Sequence, residues 1–188
     1  MLLCLKIPEN RWLTRQSTGI ATARFAACRN PVIGNVRPHT RRTARVIGVI
    51  LKITVSTVVT APIEEVWAAY TTPEDIKSWN AASPDWHTTA AYVDLRPGGK
   101  FSSRMEAKDG SFGFDFAGEY TKVVYLQLIE YSFGERVGVV EFNNGPAGVE
   151  VKVTFDGEDT HSEEQQQSGW QSILDSFRRH VAGKLASE

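Results

Sequence analysis

Chemistry needs reactive side chains at workable spacings, and this chain offers few. Its four histidines, His39, His87, His161 and His180, are far apart. None stands at metal-ligand spacing from another histidine or a cysteine, and Asp85-Trp86-His87 is only a short polar run. Neither a metal nor a cofactor is expected. Cys4 and Cys28 both precede residue 49, so the remainder holds no disulfide and no thiolate nucleophile. No G-x-S-x-G, Walker or G-x-G-x-x-G pattern occurs. The glycine runs sit at expected turns, with no helix behind them to receive a phosphate. Asp115 lies between Phe114 and Phe116, and strand alternation turns it away from those rings. Glu119 shares its parity, and Arg104 stands opposite Phe101 and Met105 in the same way. These read as solvated or paired groups on an outer face. A catalytic acid or base would need an environment that shifts its pKa. No residue set identifies a reaction, which favours binding over catalysis.

Large rings are the stronger signal. Trp79, Trp86, Phe101, Phe114, Phe116, Trp170 and Phe177 are many for one small domain. With Met105, Tyr120 and Leu174 they make up the candidate ligand-binding set. Each ring alone reads as core filling. The functional alternative is that some line a cavity that packing does not close, with Tyr120 or His87 as hydrogen-bonding groups for a ligand.

The elements that must position these rings follow from periodicity. Residues 163–184 read as one long helix, because Trp170, Ile173, Leu174, Phe177 and Val181 recur at spacings of three and four. Glu163 and Glu164 at its start and Arg178, Arg179, His180 and Lys184 towards its end suit the helix dipole. Residues 52–60, KITVSTVVT, read as a strand. Pro62 opens a short helix, and Thr72 is the expected cap of a second that ends near Trp79. About six strands follow, over 88–95, 100–107, 112–124, 126–133, 136–142 and 148–155. Turn residues separate them, with Lys108-Asp109-Gly110 the clearest hairpin signal. Gly118, inside a strand, marks a bulge or a close approach by another element. Consecutive strands closed by a helix predict α+β with an antiparallel sheet.

Of 188 residues, 41% are apolar and 23% charged, as in an ordinary globular domain. The net charge of -1 hides two unlike parts. Residues 1–48 hold nine Lys or Arg and one acid, Glu9, leaving twelve basic and twenty-one acidic residues for the rest. An acidic body argues against nucleic acid as a partner. No apolar run approaches the ~18 residues of a membrane span. The basic leader has three readings: an organelle targeting peptide, an arm for a polyanion, or an extension from a start codon placed too far upstream. Its abrupt end just before a complete first strand favours the third. Residues 50–186 are then the folded domain, expected in the cytoplasm, or in an organelle if the leader is a targeting peptide.

Three segments in this order carry a resemblance: APIEEVWAAYTTPEDIKSW, DLRPGGKFSSRMEAKDGSFGFDFAGEY and GWQSILDSFRRHV. Together they resemble the START-like (SRPBCC, helix-grip) superfamily. Within it they resemble bacterial proteins similar to the C-terminal domain of the heat-shock protein 90 ATPase activator. The resemblance covers about residues 51–183. It implies a curved antiparallel sheet of about seven strands wrapped around a long C-terminal helix, with two short helices after the first strand. It also implies an apolar cavity between sheet and helix, and so favours the cavity reading of the rings. The implied partner is a small hydrophobic molecule, either a lipid or an aromatic, polyketide-like compound. A cyclase- or aromatase-like enzyme and a chaperone-cofactor-like interaction domain are the alternatives. The second lacks support here, because no domain core precedes residue 49 as it does in the eukaryotic co-chaperone.

Overall fold

A computed structural model describes residues 51–187 of the chain. The expectations for the basic leader, Cys4, Cys28 and His39 lie outside the described residues. The elements are β1 (Lys52–Val59), α1 (Ile63–Thr71), α2 (Pro73–Trp79), β2 (Trp86–Val93), β3 (Lys100–Ala107), β4 (Gly113–Val124), β5 (Leu128–Phe133), β6 (Arg136–Gly145), β7 (Gly148–Asp156) and α3 (Glu163–Leu185). The seven strands form one antiparallel sheet in the order β1-β7-β6-β5-β4-β3-β2. It curls into a half-barrel around the long helix, which is the α+β helix-grip arrangement.

Strand alternation decides which side chains enter the grip. In β1, Ile53, Val55, Thr57 and Val59 are buried while their neighbours are exposed. Paired strands carry the pattern across the sheet, with Val55 opposite Val153 and Val153 opposite Val140. Phe101, Ser103 and Met105 are the buried residues of β3, and Ile129, Tyr131 and Phe133 those of β5. The outer face takes the charges. Arg104 pairs there with Glu106 at 2.9 Å and with Asp115 at 3.4 Å, so these groups are surface ion pairs.

Both sheet edges are covered. The free carbonyls of edge strand β1 would be a template for pairing with another chain. Gln171 Nε2 instead donates to Ser56 O at 3.0 Å, and Gln167 Nε2 to Thr54 O at 3.4 Å. Helix α3 therefore lies along β1. At the other edge α2 packs on β2, where Thr88 Oγ1 donates to Asn80 O at 2.6 Å.

Several local expectations are corrected. Strand β2 starts at Trp86, ahead of residue 88. Strand β6 runs on to Gly145, because Asn143, Asn144 and Gly145 pair with Glu150, Val149 and Gly148 and leave a two-residue turn. Thr72 makes no side-chain cap for α2; its backbone N–H donates to Ala68 O in α1 and its carbonyl accepts from Ile76 N in α2. Helix α3 does have a side-chain cap: Ser162 Oγ accepts from Gln165 N, and the Gln165 side chain accepts from Ser162 N. Gly118 is a point of close approach. A Cβ there would stand 2.1 Å from Ser132 O and 2.8 Å from the Phe101 ring.

Candidate functional site

The large rings fall into three groups. The first is Trp67, Tyr70, Trp79, Phe142 and Phe177, where α1, α2, β6 and α3 meet. Tyr70 stands 5.3 Å from Phe177 and 5.4 Å from Phe142, and Trp79 stands 5.1 Å from Phe177. Phe177 is fully buried and Leu174 nearly so. Trp79 donates its indole N–H to Ala69 O at 2.9 Å, which fixes the ring between the two short helices. Below this group, Asp75 of α2 holds α3 through His180 Nε2 at 2.7 Å and Lys184 Nζ at 3.1 Å.

The second group lines the inner face of β3, β4 and β5. Phe101 lies 5.6 Å from Phe116, 5.1 Å from Tyr120 and 5.3 Å from Tyr131. Phe116 also touches Phe133 at 5.4 Å. Trp170 of α3 reaches across to this face. It stacks on Phe155 of β7 at 4.4 Å and meets Phe116 edge-on at 5.9 Å. Ser103, buried and opposite Phe116 in the register, shares this face with Met105.

The third group is peripheral. Trp86 is half-buried against Phe114 and Phe112, both exposed, at the end of the β3–β4 hairpin. Beside it an open cleft of about 370 Å³ is lined by Ala81, Ala82, Pro84 and Trp86, by Lys108 of the hairpin, and by Ser172 and Ser176 of α3. A second cleft, of about 300 Å³, lies near Val59 and Arg179 on the far side of α3.

The helices cover the sheet unevenly. Among the described residues, α3 packs closely on β1, α2 on β2 and α1 lightly on β6, and no helix makes comparable backbone contact with β3, β4, β5 or β7. Only long side chains, chiefly Trp170, span from helix to ring face there. Three phenols belong to this interior. Tyr120 and Tyr131 are direct cross-strand partners, and Tyr70 enters from α1. Burial is the main reason that all three pKa values lie above the ordinary phenol range; a nearby phenol adds to it for Tyr70 and Tyr131, and the Asp94 carboxylate for Tyr120. They are neutral O–H donors at any physiological pH.

Of the predicted set, Phe101, Phe116, Tyr120 and Trp170 share the β3–β5 space, while Met105 is buried nearer the rim, between Thr88 and Phe114 in the register. Trp79, Leu174 and Phe177 lie in or beside the helix junction, and Trp86 and Phe114 lie at the rim. His87 is paired with Glu106 in the β2–β3 register, on the face opposite that of buried Thr88. Tyr70, Tyr131 and Phe133 were not singled out by sequence. The signal for Tyr131 was present in its parity with Ile129 and Phe133, and in Gly138 opposite. A Cβ at Gly138 would stand 2.5 Å from the Tyr131 ring. Among the described residues no three His, Cys, Asp or Glu side chains converge as a metal site.

Comparison with known proteins extends this picture. The family description Activator of Hsp90 ATPase homolog 1-like protein matches residues 60–182. The solution structure of the AHSA1-like protein from Aeromonas hydrophila is 45% identical with a TM-score of 0.68, over 71% of this chain and 94% of that one. A Cytophaga hutchinsonii protein is 43% identical with a TM-score of 0.62, over 73% and 96%. A Nitrosomonas europaea protein, 20% identical with a TM-score of 0.61 over 72% and 97%, shares the fold. No curated protein matches the chain.

Proposed function

The chain belongs to the Activator of Hsp90 ATPase homolog 1-like family, and from that premise we propose that it is a binding module for a small hydrophobic molecule. The ligand lies between α3 and the ring face of β3, β4 and β5. The observation that carries this reading is the ring cluster itself: Phe101, Phe116, Tyr120, Tyr131 and Phe133 gather on the inner face of β3, β4 and β5, with Trp170 of α3 reaching them. Apolar walls with few polar groups take most of their affinity from burial and their orientation from the polar groups. Among the described residues no helix is long and apolar enough to cross a membrane. A cytoplasmic carrier, with residues 1–48 dispensable for binding, completes the proposal.

The test is a thermal-shift screen of lipids and planar aromatic compounds, joined to mass spectrometry of what co-purifies with the native protein. A ligand at about 100 times its Kd that binds only the folded form adds ~2.7 kcal/mol of stability. Met105 sits on the ring face and is 8% exposed. Met105→Trp should fill the space and abolish the shift at a cost of about 1–3 kcal/mol to the apo protein. A screen with no saturable shift would refute the proposal.

A further inference from the structure

Small side chains leave a cleft where four segments meet. Ser172, Ser176 and Arg179 share one face of α3, at spacings of four and three. Ala81, Ala82 and Ser83, in the loop after α2, line the same space. The serines and alanines are too small to fill it, and an open cleft of about 370 Å³ remains beside Trp86. That lies within the ~300–1,000 Å³ usual for small-molecule pockets. Backbone hydrogen bonds fix its walls: Trp86 N donates to Ser83 O at 3.2 Å, and Lys108 N to Asp85 O at 2.8 Å. The second bond ties the β3–β4 hairpin to the loop and sets Lys108 at the cleft.

The groups that line this cleft are mostly donors. Trp86 is half-buried, braced by Phe112 at 6.1 Å and Phe114 at 5.9 Å. Its indole N–H has no hydrogen-bond partner among the described residues, and every side-chain nitrogen or oxygen sealed from water has one, so that N–H is open to solvent. Lys108 and Arg179 are both exposed, and neither makes an ion pair among the described residues. The Ser172 hydroxyl donates to Ser168 O, while those of Ser83 and Ser176 make no hydrogen bond among the described residues. Asp175 is the only acid among the described residues that line the cleft. Its Oδ1 already accepts from Gln171 Nε2 at 3.4 Å and lies 3.7 Å from Arg178 Nη2. The cleft is therefore a cationic spot on a body with an excess of acids, and a concave site of one sign concentrates the opposite charge. The cleft near Val59 shares Arg179 but has no ring in its lining.

We propose that the cleft beside Trp86 binds a small aromatic acid. The ring lies on Trp86, and the carboxylate takes Lys108, Arg179 and the Ser176 hydroxyl. The site is at the rim, apart from the ring face of β3, β4 and β5, and does not depend on a ligand there.

Three probes of similar shape test this on the full chain: naphthoate, the neutral naphthamide and the cation naphthylmethylammonium, titrated by NMR at neutral pH. The indole signal of Trp86 is assigned with Trp86→Phe. Naphthoate should bind about tenfold more tightly than naphthamide, with the ammonium weakest, and should move the signals of Trp86, Lys108 and Ser176. Lys108→Gln and Arg179→Gln, both at exposed positions, should each weaken naphthoate about threefold and leave naphthamide unchanged. Naphthoate no tighter than naphthamide, an advantage that survives both substitutions together, or no saturable naphthoate binding would overturn the assignment. Naphthoate shifts confined to Phe101 and Phe116 would overturn it as well, while supporting the ring-face ligand.

Discussion

The two sides of the curved sheet differ in what fills them. On the side of β1, β7 and β6 the inner face is mainly β-branched, with Phe142 and Phe155 the rings among it. Val140, Val149 and Val151 are 0% exposed, and Ile53 and Val153 are 1% exposed, with α3 laid directly along the edge. On the side of β3, β4 and β5 rings dominate the inner face, buried at 6–9% exposure at Phe101, Tyr120, Tyr131 and Phe133, beside Ile129. β-Branched side chains interlock at short range and leave little room. Rings pair at tilted or edge-to-face angles with their centroids farther apart. One side thus packs chiefly through branched aliphatic side chains and the other chiefly through rings. Trp170 joins them, stacked on Phe155 of the first side and touching Phe116 of the second.

The largest expected effect lies on the helix-holding side. Phe177→Ala should cost about 3–5 kcal/mol in urea unfolding, because a fully buried ring leaves a cavity among Tyr70, Trp79 and Leu174. Arg178→Ala, at an exposed position, should change stability by less than about 0.5 kcal/mol. Equal losses at both would mean that α3 is held by something other than this face. Gln171→Ala should cost about 0.5–1.5 kcal/mol, since it frees the Ser56 carbonyl on the β1 edge. It should also raise concentration-dependent association in sedimentation, because the edge becomes available for pairing. If association is unchanged, Gln171 is not an edge guard. The smallest effect is expected from removing the leader: a chain starting near Val49 should melt within a few degrees of the full one in calorimetry, and a large drop would tie residues 1–48 to the fold.

Much of the fold was legible because its signals are periodic. The 3–4 spacing from Trp170 to Val181 and the alternation of β1 each leave one buried face whatever the partner is. The helix polarity was equally readable, but the role of Gln167 and Gln171 was not. Glutamine on a polar helix face looks solvated until the sheet edge it meets is known. Gln171 is half-buried against that edge. The site was legible as composition and illegible as grouping. Phe114 and Phe116 share a strand face, yet Phe114 is at the rim and Phe116 inside, because the hairpin carries the strand end beyond the grip. Tyr120 and Tyr131 meet from separate strands, a proximity fixed only by the sheet register.

The central claim is that the aromatic side of the sheet receives a ligand and the aliphatic side does not. Amide shift mapping of the full chain with acetylnaphthalene tests it most directly. The account predicts saturable shifts at Phe101, Phe116, Tyr131 and the Trp170 indole, with Val149, Val151 and Val153 unmoved. Shifts spread evenly over both sides, or none that saturate, would contradict it.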